Sequence, residues 1–262
     1  MVNLIKMDTR RLFHSNVFLI SLSVVALFNI VLNIAITIAG NFFMGGKGYP
    51  QNFDICNAIT GPFYISLFIA LMFISMVSFS YADISNGYIK NIAGQLPRKT
   101  DLIFSKFIVI GIHNLVFLGV AAISNILGYL ALSAIGLVHI TSDGLILAAL
   151  LTLLLKWMLS MAICSILLFI TMGIKNKNVA SIVAAIFGTG ALGLAYMGLN
   201  QAINGVFHTS NFDLGEYMPD TLINVVNAGA NTAVINTVIV SVVCSAIFLG
   251  LTYKVYGSRD VK

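Results

Sequence analysis

Few side chains in this 262-residue sequence could do chemistry: nine acids, four histidines and three cysteines stand among residues that are 59% hydrophobic. Their spacing forms no familiar reactive set. Neither H-E-x-x-H nor G-x-S-x-G occurs, the histidines fall in different segments, and no pair of carboxylates lies within an apolar run. Cys56, Cys164 and Cys244 have neither the spacing of metal ligands nor the even number of a disulfide framework. A phosphate-cradling loop needs G-x-x-x-x-G-K-[ST]; the nearest stretch, NFFMGGKGYP, has Asn41 at the first glycine position and Gly48 after the lysine. The chain is therefore not expected to be an enzyme, to hydrolyse ATP by that chemistry, or to hold a metal or cofactor.

What remains are isolated polar groups inside apolar runs. Lys156 lies about eleven residues into one such run, where insertion costs roughly 2.5–3.5 kcal/mol. It is a functional candidate by default, or a snorkelling lysine on a tilted helix beside the interface-loving Trp157. His113 with Asn114 reads as a hydrogen-bonded structural pair. Ser21, Asn29, Asn33 and Thr37 share one helical face at multiples of four residues, either as packing glue or as a translocation surface. Ala185, Thr189 and Gly193 repeat every four residues, with Ala184 and Gly188 on the adjacent ridge, and such small residues allow close helix approach.

The elements that must position these groups are membrane spans. Charged residues make up 9% of the chain, against about 25% in soluble domains. An all-α integral membrane protein with one transmembrane domain over 1–262 follows, with six transmembrane helices at 17–39, 62–81, 107–135, 145–172, 180–199 and 233–253. The first run lacks a small-residue cleavage site and is too long for a signal peptide. Twelve of fourteen basic residues fall on one side of such an arrangement, leaving Lys47 opposite and Lys156 within a span. The positive-inside rule then puts both termini in the cytoplasm, and the net charge of +5 faces anionic lipid and cytosolic partners rather than nucleic acid.

Residues 2–15 mix Leu4, Ile5, Met7, Leu12 and Phe13 with Lys6, Arg10 and Arg11, which suits an N-terminal interfacial helix. Of the outer loops, 40–61 is Gly-rich and reads as mobile. The loop at 200–232 contains YMPDTLINVVNAG, where Pro219 and Asp220 could open a short re-entrant or outer helix before the last span.

One polar segment, DISNGYIKNIAGQLPRKTDLIFSK at 83–106, separates the second and third spans. Tyr88, Ile89, Ile92 and Ala93 form one apolar side of a short helix, with Lys90, Asn91 and Gln95 opposite. Pro97 stops it, and Thr100 or Asp101 caps the next helix. A helix this short needs headgroups or a partner protein to pack against.

The order Asp83, Asn86, Gly87, Tyr88, Ile89, Lys90, Ile92, Pro97, Arg98, then Ser105 and Lys106, resembles the intracellular loop of ABC type-2 transporter permease subunits, especially the short six-span type of bacteriocin, lantibiotic or peptide export and immunity systems. The six-span plan extends the resemblance, although that family commonly has Glu where Asp83 stands and a small hydroxyl residue where Tyr88 stands. It implies that 83–106 is a cytoplasmic coupling helix docking, through Asp83 to Arg98, on a separate ATPase that binds ATP and Mg. It further implies a second permease subunit, identical or related, meeting this one through the first and fifth spans, in a bacterial plasma membrane. The cargo would be a hydrophobic or amphipathic peptide such as a bacteriocin or toxin, exported or cleared from the membrane. Two other readings stay open: an ion-gradient transporter working through Lys156 or His113, and a non-transporting immunity or scaffold protein.

Overall fold

The computed structural model describes residues 2–43, 51–61, 66–87, 101–141, 146–174, 176–207, 213–226 and 231–257. It is a helical membrane bundle. In chain order the helices are α1 (Val2–Phe13), α2 (Asn16–Phe43), α3 (Ile55–Thr60), α4 (Ser66–Ser85), α5 (Asp101–Ala134), α6 (Ile146–Ile174), α7 (Lys177–Thr189), α8 (Leu192–Phe207), α9 (Pro219–Val225) and α10 (Asn231–Gly257). A 3₁₀ turn, Leu214–Tyr217, precedes α9. Pro219 opens α9, and no proline falls within the described part of any long helix.

Among the described residues five helices are long and apolar enough to cross a membrane, and α7 with α8 forms a bent pair that adds a sixth crossing if the two together make one span. The sequence predicts one straight span at 180–199. Instead the chain bends by 69° between Thr189 and Leu192. Gly190, at φ 69°, takes the left-handed conformation that ends α7, and its N–H caps that helix on the Phe187 and Ile186 carbonyls. At about 1.5 Å per residue α7 is only about 20 Å long, too short for a core of about 30 Å. Asn176 opens α7 by accepting from the backbone N–H groups of Asn178 and Val179.

The buried centre is α4, α5 and α6, with Phe73, Met76, Val109, Ile110, Leu159 and Ile163 in its core. Around it, α2 lies on α5 and α4, α7 on α4, and α10 on α6. The outward sides of α2 and α10 remain apolar and open, as at Ile20, Leu27 and Val31 of α2 and Val242 and Val243 of α10. Such faces suit lipid contact.

Part of the loop read as mobile is folded. Gln51–Asp54 (β1) pairs in parallel with Val138–Thr141 (β2), Gln51 opposite Val138, and Phe53 stacks on Tyr129 at 3.5 Å. This ribbon ties the segment after α2 to the end of α5, at the far end of the bundle from α1. Residues 44–50 of that loop lie outside the described residues.

Candidate coupling site at the feet of two spans

At about 1.5 Å per residue the 34-residue α5 is about 51 Å long, some 20 Å more than a bilayer core. Its first turns, from Asp101 to Lys106, belong to the end that also carries the last turn of α4 and the helix α1. Expected to lie in the interface plane, α1 packs against α5 with Leu4, Asp8 and Leu12 on its buried face.

That packing brings four charges together. Asp8, Asp83 and Lys106 are completely buried, and the Arg11 side chain is 30% exposed. Lys106 is ion-paired to Asp83 and stands 3.5 Å from Asp8. Arg11 donates to Asp83 at 2.5 Å and to Asp8 at 3.4 Å. Ser105 donates to the other Asp8 oxygen at 3.3 Å, and the Lys106 ammonium lies 4.4 Å over the Phe79 ring. Two acids and two bases leave no net charge. Buried charges persist only when each is matched in this way.

The geometry has a mechanical consequence. Asp83 and Lys106 stand at the two ends of the polar segment 83–106, so their pairing joins the feet of α4 and α5, while Asp8 and Arg11 fix α1 across both. A force on the segment between them reaches three helices at once. Sequence reasoning placed Asp83 on a docking surface; the structure places it inside this network, with no exposed surface to offer a partner. Asn86 is exposed and Gly87 turns the chain out of α4 at φ 67°. Tyr88, Ile89, Lys90, Ile92, Pro97 and Arg98 lie outside the described residues. Asp8 was missed by sequence reasoning. Its signal was an acid at i+4 between Leu4 and Leu12, on the apolar face of an otherwise basic helix.

The amide stripe of α2 forms a seam with α5. Asn29 donates to the Ala121 carbonyl at 3.1 Å and to Ser124 at 3.2 Å, and Asn33 donates to Asn125 at 2.5 Å. Ser21 bonds the Phe18 carbonyl of its own helix, and Thr37 is buried in line with them. Gly128 makes room for this seam, since a Cβ there would sit 3.0 Å from the Asn33 amide.

A second polar chain joins α4, α5 and α6. An amide oxygen only accepts, so His113 Nδ1 carries the proton toward Asn114 Oδ1 at 2.9 Å, and Nε2 accepts from Ser75 at 2.8 Å. The Asn114 amide donates on to Ser160 at 3.0 Å and Cys164 at 3.3 Å. Every member is buried, which makes it glue between helices.

Lys156 is completely buried in α6 and donates to the Ile223 carbonyl at 2.8 Å. That carbonyl belongs to the last turn of α9, where a cation complements both an orphan acceptor and the helix dipole. Phe68, Met72, Phe117 and Leu118 line the adjoining cavity, whose 10 Å³ hold at most about one water.

The small-residue ridge is shifted by one residue from its expected position. Ala180, Ala184 and Gly188 are the buried set of α7, and a Cβ on Gly188 would lie 2.3 Å from the Ala70 Cα of α4. Thr189 is exposed and bonds its own helix at the Ala185 carbonyl, and Gly193 falls beyond the bend, so Ala185, Thr189 and Gly193 do not form one ridge.

Neither a curated protein nor a solved structure matches the chain significantly. The family model described as "ABC-2 family transporter protein" matches residues 4–191, from α1 through the four-charge network and four of the long spans' worth of bundle to the bend after α7. Members of that family are the membrane components that work with an ABC ATPase, and a multi-pass bundle with a clamped pair of span feet suits that task. The chain belongs to the ABC-2 family of transporter proteins.

Proposed function

We propose that this chain is the permease subunit of an ATP-driven exporter of hydrophobic or amphipathic peptides, of the bacteriocin export or immunity kind, in a bacterial plasma membrane. The observation that carries the reading is the buried network of Asp8, Arg11, Asp83 and Lys106, which makes one mechanical unit of α1 and the feet of α4 and α5. The ATPase, which supplies the bound ATP and Mg, docks on the segment 88–100 between those feet. Nucleotide-driven closure of two such ATPases moves the unit, and α4 and α5 transmit the motion across the membrane.

The clustering of basic residues at the end that holds α1 supports cytoplasmic termini, where such an ATPase would be. The open apolar sides of α2 and α10 leave area for lipid and for a second permease, identical or related. An interior lined by apolar side chains with scattered amides favours an amphipathic peptide over a sugar or a small ion. The test is to purify the chain with its ATPase and measure ATP hydrolysis and complex yield after Tyr88→Asp or Ile92→Asp. Loss of the complex, or of the coupling between peptide and hydrolysis, is expected; an unchanged complex with unchanged coupling refutes docking on this segment.

A further inference from the structure

Between α6, the bend of α7 and α8, the start of α9 and the length of α10 lies a half-open chamber of 450 Å³, whose α10 wall includes the exposed Ile239, Val243 and Ile247. Ligand pockets commonly run from about 300 to 1,000 Å³. The walls are apolar and rich in rings, with Phe187, Tyr196, Tyr217 and Phe248 around aliphatic residues of α10. Among the described residues one charged group lines it: Asp220, which is 1% exposed. Its Oδ1 accepts from the Tyr196 hydroxyl at 3.1 Å, whereas its buried Oδ2 has no hydrogen-bond partner among the described residues. Among the described residues no basic side chain lines the chamber. The nearby ammonium of Lys156 is bound to the Ile223 carbonyl on the same short helix.

A buried carboxylate oxygen left without a partner is costly, and native structures seldom keep one without a purpose. We infer that this chamber is a binding site for an ammonium-bearing amphiphile, the ammonium pairing with Asp220 and the apolar part lying along α10. Of the ring residues that line the chamber, Tyr196 stands beside the carboxylate, its hydroxyl bonded to Asp220. A metal ion is a poor fit, because one carboxylate and one phenol fall short of the four ligands of zinc or the six or more oxygens of calcium. Burial pushes the Asp220 carboxyl above its ordinary value, against the opposing hydrogen bonds from Tyr196 and from the backbone; a bound cation would favour the ionised form.

Assigning the ammonium to a lysine of an exported peptide rests on the exporter reading. Binding itself is measured without ATPase or nucleotide, so the two can fail separately. The ammonium could also be the headgroup of phosphatidylethanolamine, and the experiment separates these sources. The full chain in nanodiscs of phosphatidylcholine and phosphatidylglycerol is labelled with a diazirine-bearing dodecylamine or, at equal membrane concentration, the matching dodecanol, and labelled peptides are mapped by mass spectrometry.

The amine should label the chamber-facing part of α10, from Val240 to Phe248, at least about tenfold more than the alcohol, the low end for a hydrogen bond to a charged group. Asp220→Asn should reduce amine labelling to the level of the alcohol, and Asp220→Glu should restore a preference. Competition by a lysine-containing amphipathic peptide but not by its norleucine counterpart assigns the site to peptide, and competition by phosphatidylethanolamine assigns it to lipid. Equal labelling by amine and alcohol in the unaltered chain overturns the inference whether or not the variants fold, and so does undiminished amine labelling in a folded Asp220→Asn protein.

Discussion

Replacing Lys106 with methionine keeps most of the side-chain volume over Phe79 and removes one charge from the four. Asp8 and Asp83 would then keep Arg11, whose side chain is 30% exposed, as the base they share, and Asp83 would lose its buried partner. Removing one member of a buried pair costs about 3–5 kcal/mol, because the charge left behind is uncompensated. At roughly 2–4 °C per kcal/mol for a chain of this size, the Tm should fall by about 6 °C or more. The second variant, Lys106→Met with Asp83→Asn, leaves Asp8 and Arg11 as a balanced pair at 3.4 Å and removes the orphan charge. It should recover more than half of the loss. Asp83→Asn alone strands Lys106 against Asp8 and should be destabilising too, so the two single changes should be strongly non-additive. The assay is thermal unfolding of the four proteins in one detergent or nanodisc. If Lys106→Met costs less than about 1 kcal/mol, the network behaves as an exposed surface pair and the argument fails. Additivity within about 0.5 kcal/mol would refute it equally.

Three further outcomes follow from other contacts. Gly188→Ala forces a Cβ against the Ala70 backbone and should cost about 1–3 kcal/mol, whereas Gly193→Ala meets nothing within 4 Å and should be neutral or mildly stabilising; unfolding curves of the two variants check which ridge is the packed one. Lys156→Met leaves the Ile223 carbonyl without its ammonium donor, so amide exchange over Pro219–Val225 should accelerate while the core of α5 stays protected. The Asp220 carboxyl is raised in the folded chain, so the associated stability is fully present below its ordinary value of 3.8 and is lost as pH rises through the raised value. The Tm of Asp220→Asn minus that of the unaltered chain should therefore grow with pH over that window and then level, and a pH-independent difference would contradict the assignment.

The spans were legible because long apolar runs have few alternatives to a helix, and the Asn29 and Asn33 stripe was legible because multiples of four share a face. The bend at Gly190 was not. GTGALG is compatible with an unbroken transmembrane helix, and only the left-handed conformation of one glycine decides otherwise. The buried ridge of α7 was misplaced by one residue because Ala184 and Ala185 are equally small, and the close approach of Ala70 chooses between them. Asp8 escaped notice for a different reason. Taken locally, it is one acid among Lys6, Arg10 and Arg11, and Lys106, which it pairs with, and Asp83, which shares that lysine, are 98 and 75 residues further along the chain. The pairing of β1 with β2 likewise joins segments that carry no periodic signal of their own.

The clamped feet of α4 and α5 are proposed to carry motion from an ATPase into the membrane. Proteoliposomes holding the permease and its ATPase, with an amphipathic peptide as cargo, test it most directly when the unaltered chain is compared with Lys106→Met/Asp83→Asn, the pair chosen to keep much of the stability while unfastening the feet. ATP hydrolysis should continue while peptide moved per ATP falls at least about tenfold. An unchanged ratio in a correctly assembled complex would show that the four-charge clamp holds the fold together but transmits nothing.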